Sequence, residues 1–335
     1  MRVVAASVIL FLGMSGAQAD PVADFYKNKN VSVLIGYSAG GGYDLYARLL
    51  ARHMDRHIPG RPGLVPQNMP GAGSLKVTKY LYSVAPKDGT AFGTFGRGMP
   101  IYPLLFAPEF DGTRFGYIGS ITKDTSTCIT WHTSPIQNWR DLMTKPSAFG
   151  GQGKGSDPDI FATLIRDGFN AKLKLVTGYQ GTANITLAVE RGELDGLCGI
   201  SFSTLRAAHG AWLSEKKINV IVQIAGQKDP QLPDTPLILD LATSPELKQV
   251  IDIAVAPQVM ARPFAAPPGV PEPRLTALQQ AFDRTMKDPV FLAEAEKMKL
   301  DVDPVSGPEI TQLVKKLYAV PKDVLKQAAG YMGGT

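Results

Sequence analysis

One pattern recurs along this chain and limits what it can fold into: a short apolar run, a glycine-rich turn, then a helical stretch. Val31 to Ile35 leads into SAGGG, residues 38 to 42, and a helix is expected from about Tyr43 to His57. Ser147 to Phe149 leads into GGQGKGS, residues 150 to 156, with a helix from about Pro158 to Gly168. Lys172 to Val176 leads into GYQGT, residues 178 to 182, with a helix from Thr182 to Arg191. NMPGAGS, residues 68 to 74, is a fourth such turn, less clearly preceded by a strand. Strand and helix alternating at this spacing make an α/β architecture with a mainly parallel sheet. In open sheets of that kind ligands sit beyond the carboxyl ends of the strands. A helix start exposes unpaired N–H groups and a partial positive charge, and glycine lets the backbone come close. Several such turns converging would read an anion through backbone amides.

The alternation runs to about residue 97 and restarts beyond about 115, with Tyr117 to Ile121, Thr127 to Trp131, Asp195 to Ile200 and Val220 to Ile224 as extended pieces. The tail is helical and punctuated by proline, with Pro273 near one helix start. Two α/β bodies and a helical tail follow, and the pattern does not say which body the tail joins. With 335 residues and 44% hydrophobic content, two cores can be filled.

The first residues differ in kind. Arg2, the apolar run VVAASVILFLGM and an A-x-A pattern at Ala17 to Ala19 read as a secretory signal peptide cut before Asp20. The mature chain is expected to be soluble and exported, in an oxidising environment. Cys128 and Cys198 then stand either as one disulfide or as two separate buried thiols. Two cysteines and four scattered histidines make no metal pattern, so no metal is expected. A formal charge of +5, with no basic run interleaved with aromatics, argues against nucleic acid.

Nucleotide cofactors fail on spacing. AGGGYD is not G-x-G-x-x-G. In GGQGKGS only Gly151 and Gln152 separate Gly150 from Gly153-Lys154, and Gly155 stands where Ser or Thr should follow the lysine. Gly36-Tyr37-Ser38-Ala39-Gly40 has G-x-S-x-G spacing, but no His lies near Ser38, Ser74 or Ser156 in the sequence to serve as a base. Asp44 is read as a carboxylate in a first helical turn, meeting free N–H groups, and not as a catalytic acid. The candidate ligand-binding set is Ser38, Ala39, Gly40, Gly41, Gly42, Gly71, Ala72, Gly73, Ser74, Gly153, Lys154, Gly155, Ser156, Tyr179, Gly181 and Thr182. Arg97, in FGRG beyond a strand end, could pair a carboxylate bidentately, and Lys154 could act as a point charge. Simple solvent exposure competes with both readings. Gly40 to Gly42 would be the close-approach surface, so a branched side chain at Gly41 would obstruct it.

Taken in order, these residues resemble the extracytoplasmic solute-binding receptors of tripartite tricarboxylate transporters, the Bug or TctC-like family. The family's P-x-x-A-G-G-x-x-D opening is matched by Ala39, Gly40, Gly41 and Asp44, followed by Arg48, with Gly36 in place of proline. Asn68, Gly71, Ala72 and Gly73 match N-x-x-G-A-G, and Ala85, Asp88, Gly89 and Thr90 match A-x-x-D-G-T. Gly153, Gly155 and Ser156 match G-x-G-S, while Tyr179 and Gly181 remain of V-P-Y-x-G, with Gly178 replacing its proline. LPDTP at 232 to 236 and the proline-glycine stretch at 266 to 271 complete the series. Two departures bear on specificity: Lys154 where the family commonly has Asn, and Asp159 where it often has His.

The resemblance implies a type II periplasmic-binding-protein fold, α/β, with two lobes and a ligand cleft between them. It implies a first lobe from residues 20–124, a second from 125–245, and a return from 246–335 with C-terminal helices. Ser38 to Gly42 and Gly71 to Ser74 would serve one lobe, Gly153 to Ser156 and Tyr179 to Thr182 the other. The implied partners are a small organic carboxylate, a di- or tricarboxylate among the options, and the membrane permease subunits, with the receptor monomeric and free of cofactors. The alternatives are a sensor subunit feeding a membrane kinase, or an exported enzyme, which would need a convergent nucleophile and base.

Overall fold

Eleven short strands in a computed structural model of the protein form two separate sheets, and residues 20–334 are described. The signal-peptide expectation for residues 1–19 lies outside them. The first sheet starts with β1 (Asn30–Ile35), β2 (Gly63–Asn68), β3 (Ala91–Thr94) and β4 (Gly116–Ser120). The chain then crosses to the second sheet for β5 (Ser126–Trp131), β6 (Ser147–Gly150), β7 (Leu173–Val176), β8 (Gly196–Ser201) and β9 (Ile218–Ile224). It returns to the first for β10 (Pro263–Ala266) and β11 (Val305–Ser306). The strand orders are β11-β4-β10-β3-β1-β2 and β7-β6-β8-β5-β9.

The mainly parallel sheet expected from the pattern holds only for the βα units. β1 is parallel to β2 and β3, and β6 to β7 and β8. β5 runs antiparallel to β8 and β9, and β10 antiparallel to β3 and β4. The reversal follows from the crossings. Ser126, the first residue of β5, pairs with Ser201 at the carboxyl end of β8. Pro263, the first residue of β10, pairs with Ser120 at the carboxyl end of β4. A chain arriving from the other body enters at the edge where the parallel strands end, so it must run the other way. The same edge of each sheet therefore carries the glycine turns and the crossings.

Apolar side chains hold each body. Val31, Val33 and Ile35 of β1 pack with Tyr46, Leu49 and Leu50 of the Gly42–Met54 helix and with Leu278 and Phe282 of the Glu272–Thr285 helix. In the second body, Phe149 packs with Phe161, Leu164 and Ile165 of the Asp157–Phe169 helix. Leu247, Val250 and Ile251 of the Pro245–Val255 helix join that same core, as do Leu325 and Ala328 of the Lys322–Tyr331 helix. The tail is thus shared: Glu272–Thr285 lies on the first sheet, while the final helix lies on the second body. The expected limit between residues 245 and 246 falls within the first turn of the Pro245–Val255 helix. Among the described residues no helix is long and apolar enough to cross a membrane.

Cys128 and Cys198, on the neighbouring strands β5 and β8, are both fully buried and form a disulfide 70 residues apart in sequence. Closing a loop of that length restricts the unfolded chain by about 4 kcal/mol in the chain-entropy account. Replacing both cysteines by alanine should lower the unfolding free energy by about 2–4 kcal/mol in urea titrations. Two free thiols in the mass of the unreduced protein would show that the bond does not form.

Candidate functional site

The glycine turns do converge, and several of their amides are engaged within the protein. β1 ends in the turn 36–41, and the following helix starts at Gly42, with Gly41 as an extended N-cap. Asp44, buried in the first turn of that helix, accepts from Gly40 N at 3.0 Å. Its other oxygen accepts from Arg48 Nε at 2.9 Å and from Asn68 Nδ2 at 2.8 Å. The second body repeats the device. Asp159, also buried, accepts from Gln152 N at 2.6 Å, Gly153 N at 2.9 Å, Ser156 Oγ at 2.7 Å and Thr177 Oγ1 at 2.6 Å. Helix starts and glycine turns carry donors that are costly to bury unpaired, and here the chain supplies the acceptors itself.

The turns of the two bodies also meet each other. Gly73 N donates to Gln152 O at 3.0 Å, and Ser38 N donates to Gln180 O at 3.2 Å. Ser38 Oγ donates to Asn184 Oδ1 at 2.8 Å. The close-approach glycine is Gly42, not Gly41. A Cβ on Gly42 would lie 2.2 Å from Thr204 Oγ1 and 3.1 Å from Arg262 Nη2, whereas one on Gly41 would meet nothing nearer than Thr182 N at 4.0 Å. Gly40, at φ +85, is the residue that needs glycine for its backbone.

Behind these contacts lies a cavity of about 20 Å³, room for little more than a water-sized group. Tyr43, Arg97, Asp157, Thr182, Thr204 and Arg262 are among its walls. Arg97 and Arg262 are each only 2% exposed. Arg97 Nε donates to Asp157 Oδ2 at 2.5 Å, and its Nη2 donates to Ser126 Oγ at 2.9 Å and Ser201 Oγ at 3.1 Å. Arg262 Nη2 donates to Thr204 Oγ1 at 3.0 Å, Asp124 Oδ2 at 3.2 Å and Ser203 Oγ at 3.4 Å. Its guanidinium lies 4.9 Å from the Tyr43 ring centre and 5.0 Å from that of Tyr46, within cation–π range. Among the described residues, one donor nitrogen on each arginine is buried without a partner: Nη1 of Arg97 and Nε of Arg262.

Electrostatics fix the ionisation of these walls. Burial acts to lower the Arg97 pKa, but the charge of Asp157 beside it, with that of Asp124, more than offsets this and holds it above its ordinary value. Burial raises the Tyr43 hydroxyl against the opposing pull of Arg97, and it pushes Tyr46 up to about 12. Both phenols are therefore neutral, and Arg97 charged, across physiological pH.

The expected residues divide into groups. Gly42, Arg97 and Thr182 line the cavity. Ser38, Gly73, Gly153 and Gly181 form the contact between the turns, and a Cβ on Gly181 would lie 2.3 Å from Ser38 Oγ. Ser74 Oγ accepts from Gly96 N at 2.8 Å, which places it in the first body's interior. Tyr179 packs against the aliphatic core around Ile185 and Leu197. Gly155 backs onto the Tyr102 ring, and Ser156 is taken by Asp159. Ala39 and Ala72 are exposed, as is Gly40. Lys154 is exposed too, its Nζ 5.5 Å from the Phe106 ring centre, and it is not among the cavity walls. Arg262, Asp157, Ser201 and Thr204 were missed by sequence reasoning. Ser201 and Thr204 follow the carboxyl end of β8 without any glycine signature, and Arg262 precedes an antiparallel strand, outside the βα grammar.

No protein-family model matches the chain. It is 22% identical over 323 residues to a UPF0065 protein from Cupriavidus necator, covering 94% of this chain and 92% of the relative. The structure of the periplasmic binding protein BugD superposes with a TM-score of 0.74 at 20% identity, covering 90% of this chain and 98% of that one. The expected family resemblance is borne out. MatC from Rhodopseudomonas palustris, in a structure with bound malate, superposes with a TM-score of 0.70 at 19% identity over 89% of this chain and 99% of that one. The two bodies are the lobes of the periplasmic binding fold, and the cavity lies in the cleft between them.

Asp159→Ala removes the acceptor from four donors, two of them buried, and should cost about 3 kcal/mol of stability in urea titrations, the second lobe unfolding first. A loss under about 1 kcal/mol would mean that the turn finds other acceptors. Gly42→Ala should keep the lobes apart and enlarge the radius of gyration in small-angle scattering, while Gly41→Ala leaves it unchanged.

Proposed function

We propose that the protein is a periplasmic solute-binding receptor that captures a small organic carboxylate between its lobes. It would pass the ligand to the membrane permease subunits of a tripartite tricarboxylate-type transporter, without chemistry of its own. The observation that carries this reading is the pair of buried arginines at the cavity, each with one unpartnered guanidinium donor. A buried cationic donor left unpaired is costly, and an anionic oxygen is the partner that removes the cost most completely. Three helix starts add partial positive charge nearby, at Gly42, Asp157 and Thr182, each in or beside the cavity wall. The malate in the MatC structure is a small dicarboxylate, in keeping with the same class of ligand here.

In this reading Arg97 and Arg262 carry charge recognition, Gly42 and Thr182 shape the seat, and Ser38, Gly73 and Gly153 close it. The lobe limit at residue 124, removal of residues 1–19 on export, and a monomeric state belong to the same proposal.

Calorimetry of the mature chain against mono-, di- and tricarboxylates tests it. Binding of at least one carboxylate is expected, and Arg97→Gln and Arg262→Gln should each weaken it about 10- to 100-fold. Folded protein that binds none of the panel would overturn the reading.

A further inference from the structure

Four carboxylates surround the cleft turns, and they are held very unequally. Asp44 accepts from three donors, and Asp159 from four. Asp124 accepts from Thr125 N, Ser203 N, Ser203 Oγ and Arg262 Nη2. These three are built into the protein. Asp157 has one hydrogen-bond partner among the described residues, Arg97 Nε at 2.5 Å. It is also the acid that lines the cavity, and its side chain keeps 13% exposure beside an Arg97 side chain at 2%.

The pair spans the cleft. Arg97 follows β3 in the first lobe, and Asp157 opens the Asp157–Phe169 helix of the second. The adjoining space, about 20 Å³, does not admit a carboxylate with a carbon skeleton, so part of the wall has to move for a ligand to enter. We infer that Asp157 is a specificity-determining residue, an internal carboxylate seated on Arg97 that an incoming ligand carboxylate displaces. This rests on the carboxylate reading above. A ligand with a single carboxylate merely replaces one anion on Arg97 by another. Arg262 lines the same cavity, so a second carboxylate that met its unpartnered Nε would help a dicarboxylate, better than a monocarboxylate, to offset the displacement of Asp157. While seated, Asp157 also ties the lobes together.

Asp157→Asn removes the competing charge and leaves Arg97 buried without its counter-ion, a state that favours any anion reaching it. Succinate and butyrate, equal in carbon number, are the probes, measured by calorimetry on wild type, Asp157→Asn, Asp157→Ser and Arg97→Gln, with circular dichroism to verify folding. Butyrate and succinate affinity should each rise at least tenfold in both Asp157 variants, with succinate the tighter ligand throughout, and the ligand-free variants should show a larger radius of gyration in small-angle scattering. Unchanged or weaker binding in folded Asp157 variants, or an unchanged radius of gyration, overturns the inference. If wild type binds succinate and Arg97→Gln loses it while the Asp157 variants bind as wild type does, only this inference falls. If neither wild type nor any variant binds either probe, or any other carboxylate of the panel, the receptor reading falls with it.

Discussion

Asp159 gathers two backbone amides and two hydroxyls onto one buried carboxylate, and the second-lobe turn takes its shape from that arrangement. Asp44 does the same for the first turn through Gly40, Arg48 and Asn68. Glycine permits these turns; the carboxylates define them. Buried donors need acceptors, and an ionised oxygen pair can satisfy several at once. With the turns fixed in this way, much of their anion-binding capacity is spent within the protein. In the proposed reading, recognition passes to side chains that arrive from elsewhere in the chain.

Those side chains are two arginines anchored in one lobe and bonded to hydroxyls of the other. Arg97 reaches Ser201, and Arg262 reaches Ser203 and Thr204. Closure and charge placement are therefore one event: when the lobes meet, both guanidinium groups become buried. Each is compensated by a carboxylate, Asp157 or Asp124, so the closed cleft is near neutrality and the unpartnered N–H of each arginine gives it direction. In a low-dielectric cleft such paired charges survive only where geometry is good, and a ligand competes with those already in place.

Much of the architecture was legible because it depends on local pattern. The βα units at Val31 to His57 and Ser147 to Gly168 appear close to their expected limits, as β1 with the Gly42–Met54 helix and β6 with the Asp157–Phe169 helix. The fourth glycine turn also follows a strand, β2, which carries a proline, Pro66. The role of Asp44 was readable from its place in a first helical turn. The antiparallel strands were not readable, since nothing in PFAA or STCITW records from which side the chain enters a sheet. Gly42 could not be told from Gly41 by sequence, because the distinction lies in Thr204, more than 160 residues away. Lys154 and Arg97 looked alike as candidate cations; one is exposed and the other nearly fully buried.

By itself the sequence determined the alternation of strand and helix, the positions of the glycine turns, the two-body organisation and the absence of a nucleotide motif. Each of these depends on residues near one another along the chain, where periodicity and spacing act directly. Tertiary structure alone decided which carboxylate holds which turn, how the tail divides between the lobes, that Cys128 meets Cys198, and that Arg262 joins Arg97 at the cleft. Those outcomes depend on strand order and lobe closure, which bring distant segments within a few ångströms and leave no local mark in the residues concerned.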